Sequence, residues 1–171
     1  MTKISLAEAV KLKSVLSKRI HELEEEMDRV SFIEIEKGSQ LPKQARQLKD
    51  VEEEIEQIRL DFRLLDRLMY RANIDHEIQF NQESLPIVEA IELASQLRAK
   101  ARKYKEFGSA VKEEFLYPLG DSGSMIKVAL FEPEDYRMKA IEMERQANRL
   151  SNFINAKNYT VELDFDSEKY F

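Results

Sequence analysis

Apolar residues recur in steps of three and four along most of this chain, and that spacing predicts four long helices. Ala9, Leu12, Leu16, Ile20, Leu23 and Met27 mark one face of the first. It is expected to begin after Ser5, because Ser5-Leu6-Ala7-Glu8 has the form of a capping box, in which hydroxyl and carboxylate each satisfy an open backbone N–H. The second helix is expected from about Lys43 to Arg71. Its seam of Leu48, Val51, Ile55, Ile58, Phe62, Leu65 and Met69 alternates threes and fours without a fault, the spacing of a coiled coil. Such a rod spans about 42 Å. The third starts near Leu85-Pro86, where proline suits a first turn, and is expected to reach about Tyr117. Its seam of Ala90, Leu93, Ala94, Leu97, Ala101, Tyr104, Gly108, Val111 and Phe115 is rich in small residues, which admit a close partner. Gly108-Ser109 marks a kink or a division. The last helix opens at Glu132-Pro133-Glu134-Asp135 and carries Tyr136, Ala140, Met143, Ala147, Leu150 and Ile154 inward.

Between the helices the period changes. Val30–Glu36 alternates in part, and Met125–Phe131 is a short apolar run bounded by breakers. The two are expected to pair as a ribbon leaning on the helices. Lys37–Pro42 and Pro118–Ser124 read as loops, and Asn73–Glu83 as polar and irregular. The tail from Thr160 to Phe171 alternates apolar and acidic residues, as a strand or an arm reaching onto a partner would. One echo runs through the chain: Glu8-Ala-Val-Lys-Leu-Lys-Ser-Val-Leu16 returns as Glu89-Ala-Ile-Glu-Leu-Ala-Ser-Gln-Leu97. If it is a duplication, the first and third helices have equivalent roles. The fold expected is mainly α: an elongated antiparallel helical bundle or coiled-coil hairpin of about four long helices with a small two-stranded β element. It forms one domain over residues 1–171, with a C-terminal arm at 160–171.

Composition narrows the function. With 35% charged residues, 43% hydrophobic residues, four Gly and four Pro, the chain has the make-up of long amphipathic helices. A formal charge of −6 disfavours gripping duplex nucleic acid through its phosphates. The absence of cysteine removes disulfides, thiol chemistry and thiolate zinc sites. No apolar leader and no run of 18 apolar residues is visible, so the reading is a cytoplasmic protein without a membrane span.

Candidate chemistry is sparse. His21 and His76 are the only histidines. His21 has Glu24 and Glu25 nearby in a stretch saturated with Glu, while Asp75-His76-Glu77 diverge along the chain, so neither predicts a metal site. No nucleophile elbow, dinucleotide fingerprint or phosphate-binding Walker pattern occurs, so no cofactor and no catalytic residue is assigned. The Gly120–Gly123 loop reads as a turn. The polar groups at two helix ends are more informative. Arg71, Asn73 and His76 close the second helix, and Asn158 and Tyr159 the last. As structure, Asn73 and Asn158 are expected as C-caps and Arg71 as a partner of final carbonyls. As function, Arg71 offers a fork for a phosphate or carboxylate, with the amides completing the contact.

Leu6-Ala-Glu-Ala-Val-x-Leu12, Arg71-Ala-Asn73 and Ile154-x-x-x-Asn158-Tyr159-Thr160 together resemble a family of small bacterial helical proteins that carries the label septicolysin-like. The resemblance follows the order of elements from residue 5 to about 163. Family members look like Arg-Thr-Asn and Asn-Trp-Thr where this chain has Ala72 and Tyr159. The resemblance implies a helical fold and homo-oligomers, and no established activity. A lytic role conflicts with the absence of tryptophan and of a long alternating strand pair.

The reading that follows is a non-enzymatic, self-associating helical binding protein. Its sharper form sequesters a small anionic, nucleotide-like ligand between helices or subunits, through Arg71, Asn73, His76, Asn158 and Tyr159. The alternatives are a hydrolase using carboxylates and His76, and a coiled-coil adaptor or membrane-active protein.

Overall fold

The computed structural model describes residues 2–171 and is mainly helical, with four helices and three two-stranded antiparallel sheets. The order is β1 (Lys3–Ser5), α1 (Leu6–Ser31), α2 (Leu48–Asp75), β2 (Glu77–Phe80), β3 (Glu83–Pro86), α3 (Ile87–Gly108), β4 (Glu113–Leu119), β5 (Gly123–Val128), α4 (Pro133–Thr160) and β6 (Glu162–Asp164). The chain divides into two compact units, Met1–His76 with Lys157–Phe171, and Glu77–Ala156.

In the first unit, α1 starts as its sequence requires. The Ser5 side chain accepts from the Glu8 N–H at 3.1 Å, and the Glu8 carboxylate accepts from the Ser5 N–H at 2.7 Å. Those bonds, the backbone one first, hold the Glu8 carboxyl below its ordinary pKa. Leu6, Ala9, Leu12, Leu16 and Leu23 of α1 pack with Val51, Ile55, Ile58 and Leu65 of α2 in one core, and each is buried. Ion pairs flank it: Arg19 donates to Glu54 at 2.7 Å, and Arg46 also holds Glu54. Burial alone would raise the Glu54 carboxyl, but the two guanidiniums outweigh it and leave it below the usual carboxylate range. The tail is not free. β6 pairs with β1, placing Ile4 opposite Leu163, and Val161, Leu163, Phe165 and Ser167 are buried alternately.

In the second unit, β2 and β3 form a hairpin with Ile78 opposite Leu85. α3 and α4 approach so closely at Gly108 that a Cβ there would lie 2.8 Å from the Arg137 backbone N and Cα. Ala94, Leu97, Ala101, Ala140, Ala147 and Leu150 are buried, and Ala101 of α3 and Ala147 of α4 line one groove. Tyr104, Phe107, Phe131 and Tyr136 form an aromatic cluster, with ring centroids 5.1–5.5 Å apart, at the foot of the β4–β5 hairpin.

Several expected elements are corrected. Residues 32–36 form no strand, and β5 pairs with β4. A short turn brings neighbouring segments together at far smaller entropy cost than a long loop does. α3 stops at Gly108, and Phe115–Tyr117 lie in a strand, where β-branched and aromatic residues are at home. Residues 77–86 are a hairpin whose turn, Asn81-Gln82, has positive φ at both positions, an arrangement usually signalled by glycine. α2 begins at Leu48 and both helix ends extend past the residues expected to cap them, so Asn73 and Asn158 lie inside α2 and α4.

The echo has a structural counterpart. β1-α1-α2-β2 and β3-α3-α4-β6 repeat one order of elements, with β4 and β5 inserted in the second α–α connection. Leu6 and Ile87 open α1 and α3 directly after a strand and are fully buried, as are Ala9 and Ala90. The pairing Leu163 with Ile4 matches Ile78 with Leu85: in each sheet, the closing strand of one repeat pairs with the opening strand of the other.

Candidate functional site

The five residues expected to bind a ligand sit around helix ends and do not line any of the cavities described here. Arg71 is highly exposed and lies 3.6 Å from Asp75, one turn on. The His76 ring Nδ1 is 3.0 Å from the Ala72 carbonyl oxygen, which also accepts the His76 backbone N–H at 3.1 Å. That ring nitrogen is engaged by its own helix end. Asn73 is half-buried and Tyr159 is exposed. Asn158 is the exception: its Oδ1 is buried without a hydrogen-bond partner. Asn73 and Asn158 hold matching places in the two repeats, each two residues before its helix ends.

A better-formed site lies in the second unit. Arg98 and Arg102 stand one turn apart on α3 and line a groove of about 420 Å³ with Ala101, Glu144, Ala147 and Asn148. The alanines keep the floor low, because α3 and α4 pack through small residues. Arg98 donates to the Ser151 hydroxyl, and neither guanidinium forms an ion pair among the described residues. Two adjacent guanidiniums without an acidic partner suit an oxyanion. Glu144 is the single acid on the rim and leaves the groove net positive. The sequence signal was available: two arginines at a spacing of four beside a small-residue seam.

A larger cavity, about 690 Å³, opens between the C-terminal end of α3 and the β4–β5 hairpin. Phe107, Val111, Val128, Leu130 and Phe131 make it mainly apolar, and Glu114 and Lys127 line it as well.

In the first unit, Asp61 is buried on α2, accepts from the Tyr170 hydroxyl and pairs with Lys169 at 2.6 Å. Burial, then the hydrogen bond to Asp61 and its charge, push the Tyr170 phenol above its usual pKa. This cluster fastens the tail, and it was illegible locally because Asp61 reads as a surface acid beside Ile58 and Phe62.

Among the described residues, no group of three His, Cys, Asp or Glu is placed to hold a metal ion. No helix among them is long and apolar enough to cross a membrane.

No family model matches the chain, and no curated protein does. Among solved structures it is similar to the crystal structure of a functionally unknown conserved protein from Corynebacterium diphtheriae, with 20% identity and a TM-score of 0.65. The match covers 95% of this chain and 100% of that one. At that identity the similarity bears on the fold alone.

Proposed function

We propose that this chain is a non-enzymatic, self-associating helical binding protein that holds a small anion in the groove between α3 and α4. Arg98 and Arg102, one turn apart over an alanine floor and without an ion pair among the described residues, carry this reading. In this reading the helices work as antiparallel pairs, and the α3/α4 pair presents the ligand site. Phosphate or carboxylate accepts from both guanidiniums, while the Asn148 amide supplies a neutral contact. Arg71 and His76, spent on Asp75 and the Ala72 carbonyl, are not the primary contacts. The exposed apolar side chains of the β4–β5 hairpin support self-association.

The test is thermal unfolding at low ionic strength with inorganic phosphate, nucleoside monophosphates and an uncharged nucleoside. Ligand at one hundred times its Kd stabilises by about 2.7 kcal/mol. For a chain of this size that raises Tm by roughly 5–10 °C. The anions are expected to stabilise the wild type and Arg71→Ala alike, and to lose their effect in Arg98→Ala/Arg102→Ala. No shift with any anion, or an undiminished shift in the double variant, refutes the site.

A further inference from the structure

The β4–β5 hairpin leaves an imbalance that the chain itself does not resolve. Every residue from Val111 to Val128 is exposed, including Phe115, Leu116, Tyr117, Leu119, Ile126 and Val128. A lone two-stranded ribbon is marginal in water, and a third strand is what usually secures it. Its two outer edges differ. β4 carries Pro118, which has no N–H, an irregularity between Phe115 and Tyr117, and the acids Glu113 and Glu114, all features that block strand addition. β5 lacks the proline and the irregularity, and its single charge, Lys127, lies opposite Glu114 in the ladder but forms no ion pair among the described residues.

Residues 32–36, Phe-Ile-Glu-Ile-Glu, show the converse. Phe32 is extended (φ −133°, ψ 147°) and 82% exposed. Ile33 and Ile35 are exposed, Glu34 and Glu36 have no cationic partner among the described residues, and the segment has no strand partner. It alternates apolar and acidic residues, as an edge strand does. One segment lacks a ladder and a cation; the other has a free ladder edge and a lysine that its cross-strand neighbour Glu114 leaves without an ion pair.

We propose that residues 32–36 of one copy add antiparallel to the β5 edge of a second copy, and that the second copy returns the same contact. This rests on the self-association proposed above and names its surface. The register that sets Glu34 opposite Lys127 also sets Ile33 opposite Val128 and Ile35 opposite Ile126, so apolar meets apolar on one face and acid meets base on the other. It brings Phe32 opposite Ala129, which lines the 690 Å³ apolar cavity at the hairpin foot and gives that ring a place to bury. Both segments occupy the α–α connection of their repeat, and each copy carries one of each. In a two-fold dimer the two contacts are the same contact made twice.

Sedimentation velocity of the full chain tests the pairing. The wild type is expected to be a dimer at micromolar concentration. Lys127→Glu, which sets acid against acid, and Glu34→Lys/Glu36→Lys, which sets base against base, each weaken it roughly tenfold or more. An equimolar mixture of the two variants restores the dimer, because opposite charges then meet at both contacts. Phe32→Asp weakens the dimer without that rescue, and helical circular dichroism stays unchanged in all variants. A wild-type monomer refutes both this pairing and self-association. A dimer indifferent to the charge reversals, or a mixture that stays monomeric, refutes the pairing and leaves self-association standing.

Discussion

Ile4 lies directly opposite Leu163, so the first and last strands of the chain close a sheet together. Ile78 and Leu85 form the same pair in the middle of the sequence. Ile4, Leu163 and Ile78 are all buried to the same degree, at 5% exposure. Because the two sheets hold corresponding places in the repeated order of elements, Leu163→Ala and Ile78→Ala are expected to destabilise alike, by about 2–4 kcal/mol each. Urea unfolding measures both. A large loss at Ile78 with none at Leu163 would show that the terminal sheet contributes nothing to the fold.

The turn of the central hairpin contains Gln82 at φ +67°, where an L side chain crowds its own backbone. Asn81, at φ +48°, tolerates that region better. Gln82→Gly creates the Asn-Gly sequence that such turns favour. It is expected to stabilise by about 0.5–1 kcal/mol after the larger chain entropy of glycine is set against the relieved strain. A lower urea midpoint in that variant would contradict this account of the turn.

Tyr170 supplies a pH-dependent term. Its folded-state pKa lies above the unfolded one, because burial and the bond to the Asp61 carboxylate both oppose the phenolate. Its contribution is therefore complete below the unfolded value of roughly 10 and is lost as pH rises through the folded value. Tyr170→Phe is expected to cost about 1–2 kcal/mol at pH 7, since Asp61 keeps Lys169 but loses a donor. Stability should fall less steeply above roughly pH 10 in the variant than in the wild type. Identical alkaline slopes would count against the Tyr170–Asp61 bond.

What the sequence determined by itself was local and periodic. The Ser5–Glu8 cap, the buried stripe Ala9, Leu12, Leu16, Leu23 and the proline-led start of α4 all came from patterns within one or two helical turns. The echo between residues 8–16 and 89–97 was visible too, and it matches the repeated order of elements. Tertiary structure decided what pairs with what. Nothing near Leu163 names Ile4 as its partner, and nothing around Asp61 shows that Tyr170 will cover it. Residues 32–36 and 125–131 both read as strands, yet β5 took the neighbour that a short turn could deliver. The α3/α4 groove was missed for the same reason: a helix sequence reveals which face is apolar, but only the packing of α4 on α3 sets Arg98 and Arg102 beside Asn148. Periodicity encodes faces because it depends on backbone geometry alone. Pairing depends on the competing entropy of every loop that might close.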